Sequence, residues 1–549
     1  KILAPLEFFD PPARRGRDDV NETRQPGSET KMSASKAFYI TTPIYYVNDV
    51  PHLGHAYTTL ACDVLARFKR LDGYDVRFLT GTDEHGQKVE KAAALAGVTP
   101  QAFTDKVSQN FRDLCETMNF SNDDFIRTTE PRHTEACQAL WKRLEEAGHI
   151  YLGSYAGWYA VRDEAFYGED ELSEGPNGKK IAPSGAECEW VEEPSYFFRL
   201  SAWAEPLLKF YDHNPDFLAP AGRRNEVVSF VKSGLRDLSI SRTTFDWGVP
   251  VPGDEKHIMY VWLDALTNYM TAVGYPDTQS EPYKRYWPAD LHMVGKDILR
   301  FHTIYWPAFL LAADLPTPRR VFAHGWWTVE GQKMSKSLGN VIAPDHLVTT
   351  YGLDAARYFL LREVPFGNDG DFSHAAIVHR TNGDLANDLG NLVQRVLSMI
   401  AKNCGGAVPE PGAFTEADKA LLASAYGLIA RVRTAFDAQS FHKGLEAIWS
   451  LCGDANRYVD EQAPWALRKT DLARMETVLY VLAETIRHIG ILVQPVMPAA
   501  AARILEQLAL GEDARGFATL GPSGALTPGA ALPAPAGVFP RFVEAETAE

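Results

Sequence analysis

Two short clusters in the chain have the residue types and spacing to do phosphate chemistry. His52-Leu53-Gly54-His55 stands just after a strand-like run, where a helix should open. Free N–H groups at a helix N-terminus, a glycine that permits close backbone approach and two imidazoles together favour a phosphate. Taken alone, the same residues would serve equally well as a cap and core histidines. The second cluster is Lys333-Met334-Ser335-Lys336-Ser337, following His324-Gly325-Trp326-Trp327-Thr328-Val329-Glu330-Gly331-Gln332. Two lysines one turn apart on a glycine-hinged loop can neutralise charge building on a pyrophosphate leaving group. By itself that stretch would read as a solvated basic loop. Each cluster follows a strand of what reads as one sheet, and the pairing leaves little room for chance.

The elements that must position these residues are legible in outline. The apolar run Ala37–Thr41 ends at Pro43; an amphipathic stretch, Thr58–Arg70, follows; Val76–Thr80 stops at Gly81. Short β-rich runs alternating with helical stretches predict βαβ units on a parallel sheet, an α/β fold. Further buried-strand candidates are Ile258–Trp262, Leu291–Val294 and Val321–Ala323. The segmentation expected is 37–150 and 256–375 as two halves of one α/β domain, with 151–255, rich in aromatics and turn clusters, inserted between them. From 376 to 510 the pattern becomes helical: Leu385, Leu389, Leu392, Val393, Val396, Leu397 and Ile400 recur at three- and four-residue steps. Comparable periodicity in Ala417–Phe436, Leu445–Val459 and Met475–Val493 predicts a helical bundle. Residues 511–549 read as a tail, since Gly521–Glu549 holds five prolines and four glycines.

Length and composition bound the function. The chain has 549 residues, room for three or four domains. Its 55 Lys and Arg against 71 Asp and Glu give a net charge of −16, with 45% hydrophobic and 23% charged residues. That excludes a largely disordered chain, a collagen-like fibre and a polybasic coat for nucleic acid, but not local contacts to nucleic acid. No two of the six cysteines are closer than 22 positions, so there is no Cys-x-x-Cys pair, and a reducing compartment is the simplest reading. The longest apolar stretch, Tyr305–Ala313, carries a proline and falls far short of a membrane span. Residues 1–31 hold six basic and six acidic residues, unlike a signal or transit peptide, and Met32 looks like a natural start. Residues 1–36 are therefore expected to be a disordered extension or sequence added upstream.

The paired clusters resemble the two signatures of class I aminoacyl-tRNA synthetases. Flanking residues narrow the resemblance to the methionyl-tRNA synthetase family: Thr42-Pro43-Ile44-Tyr45-Tyr46-Val47-Asn48, Gly81-Thr82-Asp83-Glu84-His85-Gly86, Tyr260-Val261-Trp262-Leu263-Asp264-Ala265, Gly295-Lys296-Asp297-Ile298 and Tyr458-Val459-Asp460-Glu461-Gln462-Ala463-Pro464-Trp465. It runs from about 37 to about 510, with the motifs in the family's order. It implies a Rossmann-type parallel-sheet catalytic domain with an inserted connective-peptide domain, followed by a helical anticodon-binding bundle. It also implies roles. His52, Gly54 and His55 would bind ATP phosphates, Lys333 and Lys336 would hold the leaving pyrophosphate, and Asp297 would take the ribose. Asp83 would pair with the ammonium of methionine. Ile44, Tyr46, Trp262, Ala265, Leu266, Tyr269, Ile298 and His302 would surround its side chain. Spacing alone would make the Trp262–Tyr269 stripe core, and Asp83 a helix cap. Asn391, Arg395 and Trp465 would read the anticodon of tRNA(Met), where an ion pair and a core tryptophan would otherwise be the plain reading.

One departure from the family stands out. Many relatives carry Cys-x-x-Cys zinc ligands in the inserted domain, whereas this chain has Ala160 and Asp163 there, no Cys or His in 181–185, and only Cys188 nearby. An insertion that folds without zinc is expected. ATP, with Mg²⁺ screening its phosphates, methionine and tRNA(Met) are the implied cofactor and partners, with no membrane. A bacterial cytoplasmic monomer is the implied setting. Leucine-, isoleucine- or valine-specific relatives carry a far larger insertion than the 277 residues between His55 and Lys333. A catalytically silent tRNA-binding paralogue should have damaged signatures, and these are intact.

Overall fold

The computed structural model describes residues 36–47, 50–163, 165–334 and 339–544, with only the backbone for Tyr155, Ala165, Phe166, Asn177 and Lys333. Residues 36–549 cluster as one compact unit. A seven-stranded sheet forms its centre, in the order Leu218–Ala219, Val321–His324, Leu291–Gly295, Ala37–Thr41, Asp75–Asp83, Tyr45–Tyr46, with Asp124–Arg127 also paired to Asp75–Asp83. Every pairing in it is parallel. Strands buried on both faces need near-continuous apolar runs, which is why these segments stood out in the sequence. The helix Leu53–Leu71 follows the first strands, and almost all of it past its first turn is buried.

Two details differ from the sequence reading. Ile258–Trp262 is no strand of the parallel sheet: Asp254–Met259 pairs antiparallel with Pro250–Val251 and Ser241–Arg242, and Val261–Thr271 is already helix. A short apolar run buried on all sides looks alike as strand or as helix start. Leu218–Ala219, within the stretch expected to be inserted, forms the edge of the central sheet by pairing with Val321–Phe322.

The inserted region is built on a long antiparallel pair, Ile150–Ala160 with Glu187–Phe198. Past the central sheet, Trp327–Val329 pairs with Gln332–Lys333 and with Gly370–Phe372. The bundle comprises Asn391–Asn403, Glu416–Asp437, Phe441–Gln462, Leu472–Val493 and Pro498–Gln507.

The stretch read as a tail packs on that bundle. Phe517, Leu526 and Val538 are buried in its core. His488 Nε2 accepts the N–H of Gly521 at 2.9 Å, Glu484 accepts that of Leu526 at 3.1 Å, and Arg487 donates to the carbonyl of Thr519 at 2.8 Å. Prolines and glycines deny this stretch a regular ladder, so buried side chains of the helix Leu472–Val493 satisfy its backbone instead.

Candidate active site

The helix Leu53–Leu71 opens with histidines where most helices place a serine or aspartate. His52 is the N-cap; its Nδ1 accepts the N–H of Gly54, while Nδ1 of His55 accepts the N–H of His52, both at 3.1 Å. This is a capping box made of imidazoles, with the rings stacked 4.0 Å apart. A nitrogen that accepts a backbone N–H carries no proton, so each ring holds its proton on Nε2. Burial lowers the pKa of both; Asp297 opposes this at His52, and His52 adds to it at His55. Two neutral imidazoles thus keep Nε2–H donors for a ligand. The glycine between them lines the cavity and also has a structural reason to lack a side chain. A Cβ on Gly54 would stand 2.9 Å from Cε1 of His52, so the position must be bare for the imidazole to turn back onto the helix.

These histidines line a cavity of about 880 Å³, within the range of ligand pockets. Asp297 lies on the same wall, its Oδ1 accepting the indole N–H of Trp326 at 3.0 Å. Lys296 closes that corner, donating to both oxygens of Asp369 at 2.7 and 2.6 Å beneath the ring of Trp326. A Cβ on Gly295 would come within 2.5 Å of Oδ1 of Asp297, so that residue too must be bare. Met334 lines the cavity, Lys333 is the last residue of its hairpin strand, and Lys336 lies outside the described residues. The chain leaving that loop is tied back to the histidines, since the N–H of Leu53 donates to the carbonyl of Ile342 at 3.1 Å.

The same cavity has aromatic and apolar side chains in its wall. Ile44, Tyr46, Trp262, Ala265, Leu266, Tyr269, Ile298 and His302 all line it, as does Asp83 at the end of its strand. Asp83 caps no helix: the next one starts at Gln87 behind Gly86. Trp262 and Tyr269 do share a face of the helix Val261–Thr271, and that face serves both readings: it lines the cavity, while Tyr269 and Leu266 on it are also buried in the core. Trp262 stacks on Phe301 with ring centroids 3.4 Å apart. His302 donates from Nδ1 to the carbonyl of Ile298 at 3.0 Å, and burial lowers its pKa to about 4. Its Nε2 therefore accepts the hydroxyl of Tyr269 at 2.6 Å, which fixes both rings.

In the bundle, Asn391 begins a helix and Arg395 lies one turn on. The helix Phe441–Gln462 ends at Ala463, in the left-handed region at φ +42°, and Pro464 starts the next short helix. That break holds Trp465 out at 44% exposure. The guanidinium of Arg395 lies 5.5 Å from the centre of its ring and pairs with Asp460 at 2.9 Å.

A family model described as class I tRNA synthetases (M) matches residues 38–397, and one described as the anticodon-binding domain of methionyl-tRNA ligase matches 408–549. The methionine–tRNA ligase of Brucella suis is 60% identical over 515 residues, covering 94% of this chain and 99% of that protein. The chain belongs to the methionyl-tRNA synthetases. A structure of the Mycobacterium tuberculosis methionyl-tRNA synthetase in complex with methionyl-adenylate superposes with a TM-score of 0.90 at 57% identity, over 92% of this chain and all of that one. The methionyl-tRNA synthetase of Mesorhizobium japonicum is 58% identical over 513 residues, covering 93% of this chain and 99% of that protein. The chain is thus a class I aminoacyl-tRNA synthetase that joins methionine to tRNA through an adenylate.

Sequence reasoning missed Trp326, Phe301 and the Lys296–Asp369 pair. Trp326 and Lys296 each stood inside a quoted motif, but only the fold reveals what they touch. The capping geometry generates a sharp expectation. In Gly54→Ala the new methyl should push the His52 imidazole off its cap and lower methionine-dependent pyrophosphate exchange by about 100-fold, the usual scale for a misplaced catalytic group. The melting curve should shift by no more than the loss of one cap, about 1 kcal/mol.

Proposed function

We propose a division of labour in which the two ends of one cavity hold the two substrates of adenylation. The observation that carries this reading is that the imidazole pair and Asp297 line the same continuous space as Asp83 and the aromatic slot. His52 and His55 donate Nε2–H bonds to ATP phosphates, Asp297 accepts from the ribose hydroxyls, and Lys333 and Lys336 draw charge from the leaving pyrophosphate. Asp83 pairs with the ammonium of methionine, and the slot from Ile44 to His302 takes the thioether, whose polarizable sulfur suits aromatic walls. A methionine carboxylate oxygen then attacks the α-phosphorus in line, the bond to pyrophosphate breaks, and methionyl-adenylate forms. The tRNA 2′-hydroxyl next attacks the adenylate carbonyl and releases AMP. Neutral imidazoles suit this work, because they donate without having to lose a proton to the ligand.

Mg²⁺ would arrive on the oxygens of ATP itself. Among the described residues, those lining the cavity bring no three His, Cys or carboxylate ligands together as a dedicated metal site would. Zinc does not fit the inserted region. The places of its ligands are taken by a small apolar cluster of Ala160, Ala182, Ala186 and Cys188. The carboxylate of Asp163 is occupied by the hydroxyls of Tyr167, at 3.0 Å, and Ser184. No described helix is long and apolar enough to cross a membrane. A monomer working in the bacterial cytoplasm is the setting we propose, in keeping with the bacterial relatives. Asn391, Arg395 and Trp465 would take the anticodon, Trp465 as the stacking platform.

Three measurements test this. Pyrophosphate exchange without tRNA should be strong with methionine and absent with leucine or isoleucine; homocysteine, one methyl shorter, should still be activated, with kcat/KM lower by about 10- to 200-fold. Trp465→Ala should cut aminoacylation by about 10- to 100-fold, the worth of one stacked base, and leave exchange intact. Protein washed with chelator should hold no stoichiometric zinc and melt at an unchanged temperature; one bound zinc per chain would refute the metal-free insertion.

A further inference from the structure

Methionine presents two ends that this fold reads with two separate elements, and something must set the distance between them. Asp83 ends the strand Asp75–Asp83, whereas Trp262, Ala265, Leu266 and Tyr269 sit on the helix Val261–Thr271. The opposite side of that helix carries Asp264, only 1% exposed. Its Oδ2 accepts Nδ1–H of His85 at 2.6 Å, and its Oδ1 accepts Nε2–H of His133 at 2.7 Å. His85 is two residues past Asp83, and His133 lies on the helix Pro131–Glu146. The residue between Asp83 and His85 is also clamped, because Glu84 takes a forked pair from Arg127 at 2.7 and 2.9 Å. Cys137 packs on the same group, its sulfur 3.2 Å from Nε2 of His133. None of His85, His133, Cys137 and Asp264 lines the cavity.

We propose that Asp264 is a positioning residue for methionine: through His85 it locks the strand end bearing Asp83 to the helix bearing the aromatic slot. A buried carboxylate needs its hydrogen bonds, and two imidazole donors from two elements leave it one position. Burial would raise its pKa, but the charge and hydrogen bond of His85 and the hydrogen bond of His133 outweigh this and hold it below the usual carboxylate range. The clamp touches neither the reacting atoms nor the nucleotide end, so its loss should weaken methionine binding while sparing ATP.

This inference rests on Asp83 and the slot being the contacts of methionine. The test uses amides that replace one ring nitrogen each. Asparagine puts its N–H where Nδ1 stood, and glutamine where Nε2 stood. At His85, which uses Nδ1, His85→Gln should raise the methionine KM in pyrophosphate exchange by about 10-fold or more. His85→Asn should restore most of it, and the ATP KM should stay within about threefold in both. At His133, which uses Nε2, the ranking should reverse: His133→Asn harms and His133→Gln is tolerated. A purely structural role would show the same losses in the KM values for methionine and ATP, or no reversal between the two positions, and either result would overturn the proposal. Should one position fail to fold when changed, the ranking at the other decides. Asp83→Asn serves as the control for the underlying reading: if it leaves the methionine KM unchanged, that reading fails, whatever the clamp variants do.

Discussion

One fully buried arginine ties this molecule together. Arg357, on the helix Leu353–Arg362, has no exposed side-chain surface, and neither does its partner Asp63, 2.6 Å away on the helix that begins at the paired histidines. The rest of the guanidinium donates to the carbonyls of Met118 at 3.0 Å, Pro495 at 2.9 Å and Val496 at 2.8 Å. Burial pulls its pKa down, and Asp63 pulls it back up. A charge so placed is tolerable only while every donor is matched, and breaking a buried pair of this kind costs about 3–5 kcal/mol. Asp63 is equally committed, accepting from Arg67 and from the N–H and hydroxyl of Ser121. The helix that presents the histidines, the end of the helix Pro100–Thr117 and the corner between the last two bundle helices therefore meet at one point. Asp354, one turn before Arg357, adds a bond to the N–H of Ala500. The active site and the bundle are thus held as parts of one compact unit.

Around that anchor, the same groups satisfy the backbone and offer themselves to ligand. The imidazole capping box does both: Nδ1 of each ring completes a helix N-terminus, and the tautomer this imposes leaves Nε2–H as a donor for a ligand. Asp297 is steered in the same manner by the indole of Trp326, and the ring of Tyr269 by His302. In each case a side chain's orientation is set by a hydrogen bond within the protein. That is how a site keeps its geometry before any substrate arrives.

The inserted region joins a small apolar cluster to a polar network. Alanines 160, 182 and 186 with Cys188 fill the interior, while Asp163, Ser184 and Tyr167 join the turns outside it. Together they hold the turns of a region too small to bury a large core.

How much could be read without coordinates followed the range of the interactions involved. The strands Ala37–Thr41, Leu291–Gly295 and Val321–His324, the bundle helices and the two motif clusters that carry the family resemblance were legible because each is written in consecutive residues or at helical spacing. Ile258–Trp262 was misread because a short apolar run that spans a strand end and a helix start has no periodicity to tell one from the other. Residues 511–549 were read by composition alone, and composition could not show that Glu484, Arg487 and His488 bond the backbone of Leu526, Thr519 and Gly521. By itself the sequence determined the family, the sheet type and the list of residues that could do the chemistry, because those are carried by motifs of local spacing. Only the tertiary structure decided why Gly54 is bare, which imidazole nitrogen faces a ligand, that Trp326 holds Asp297, and that His85 meets Asp264 from 179 positions away. Those are contacts across long loops, and no local pattern records where two distant side chains will meet.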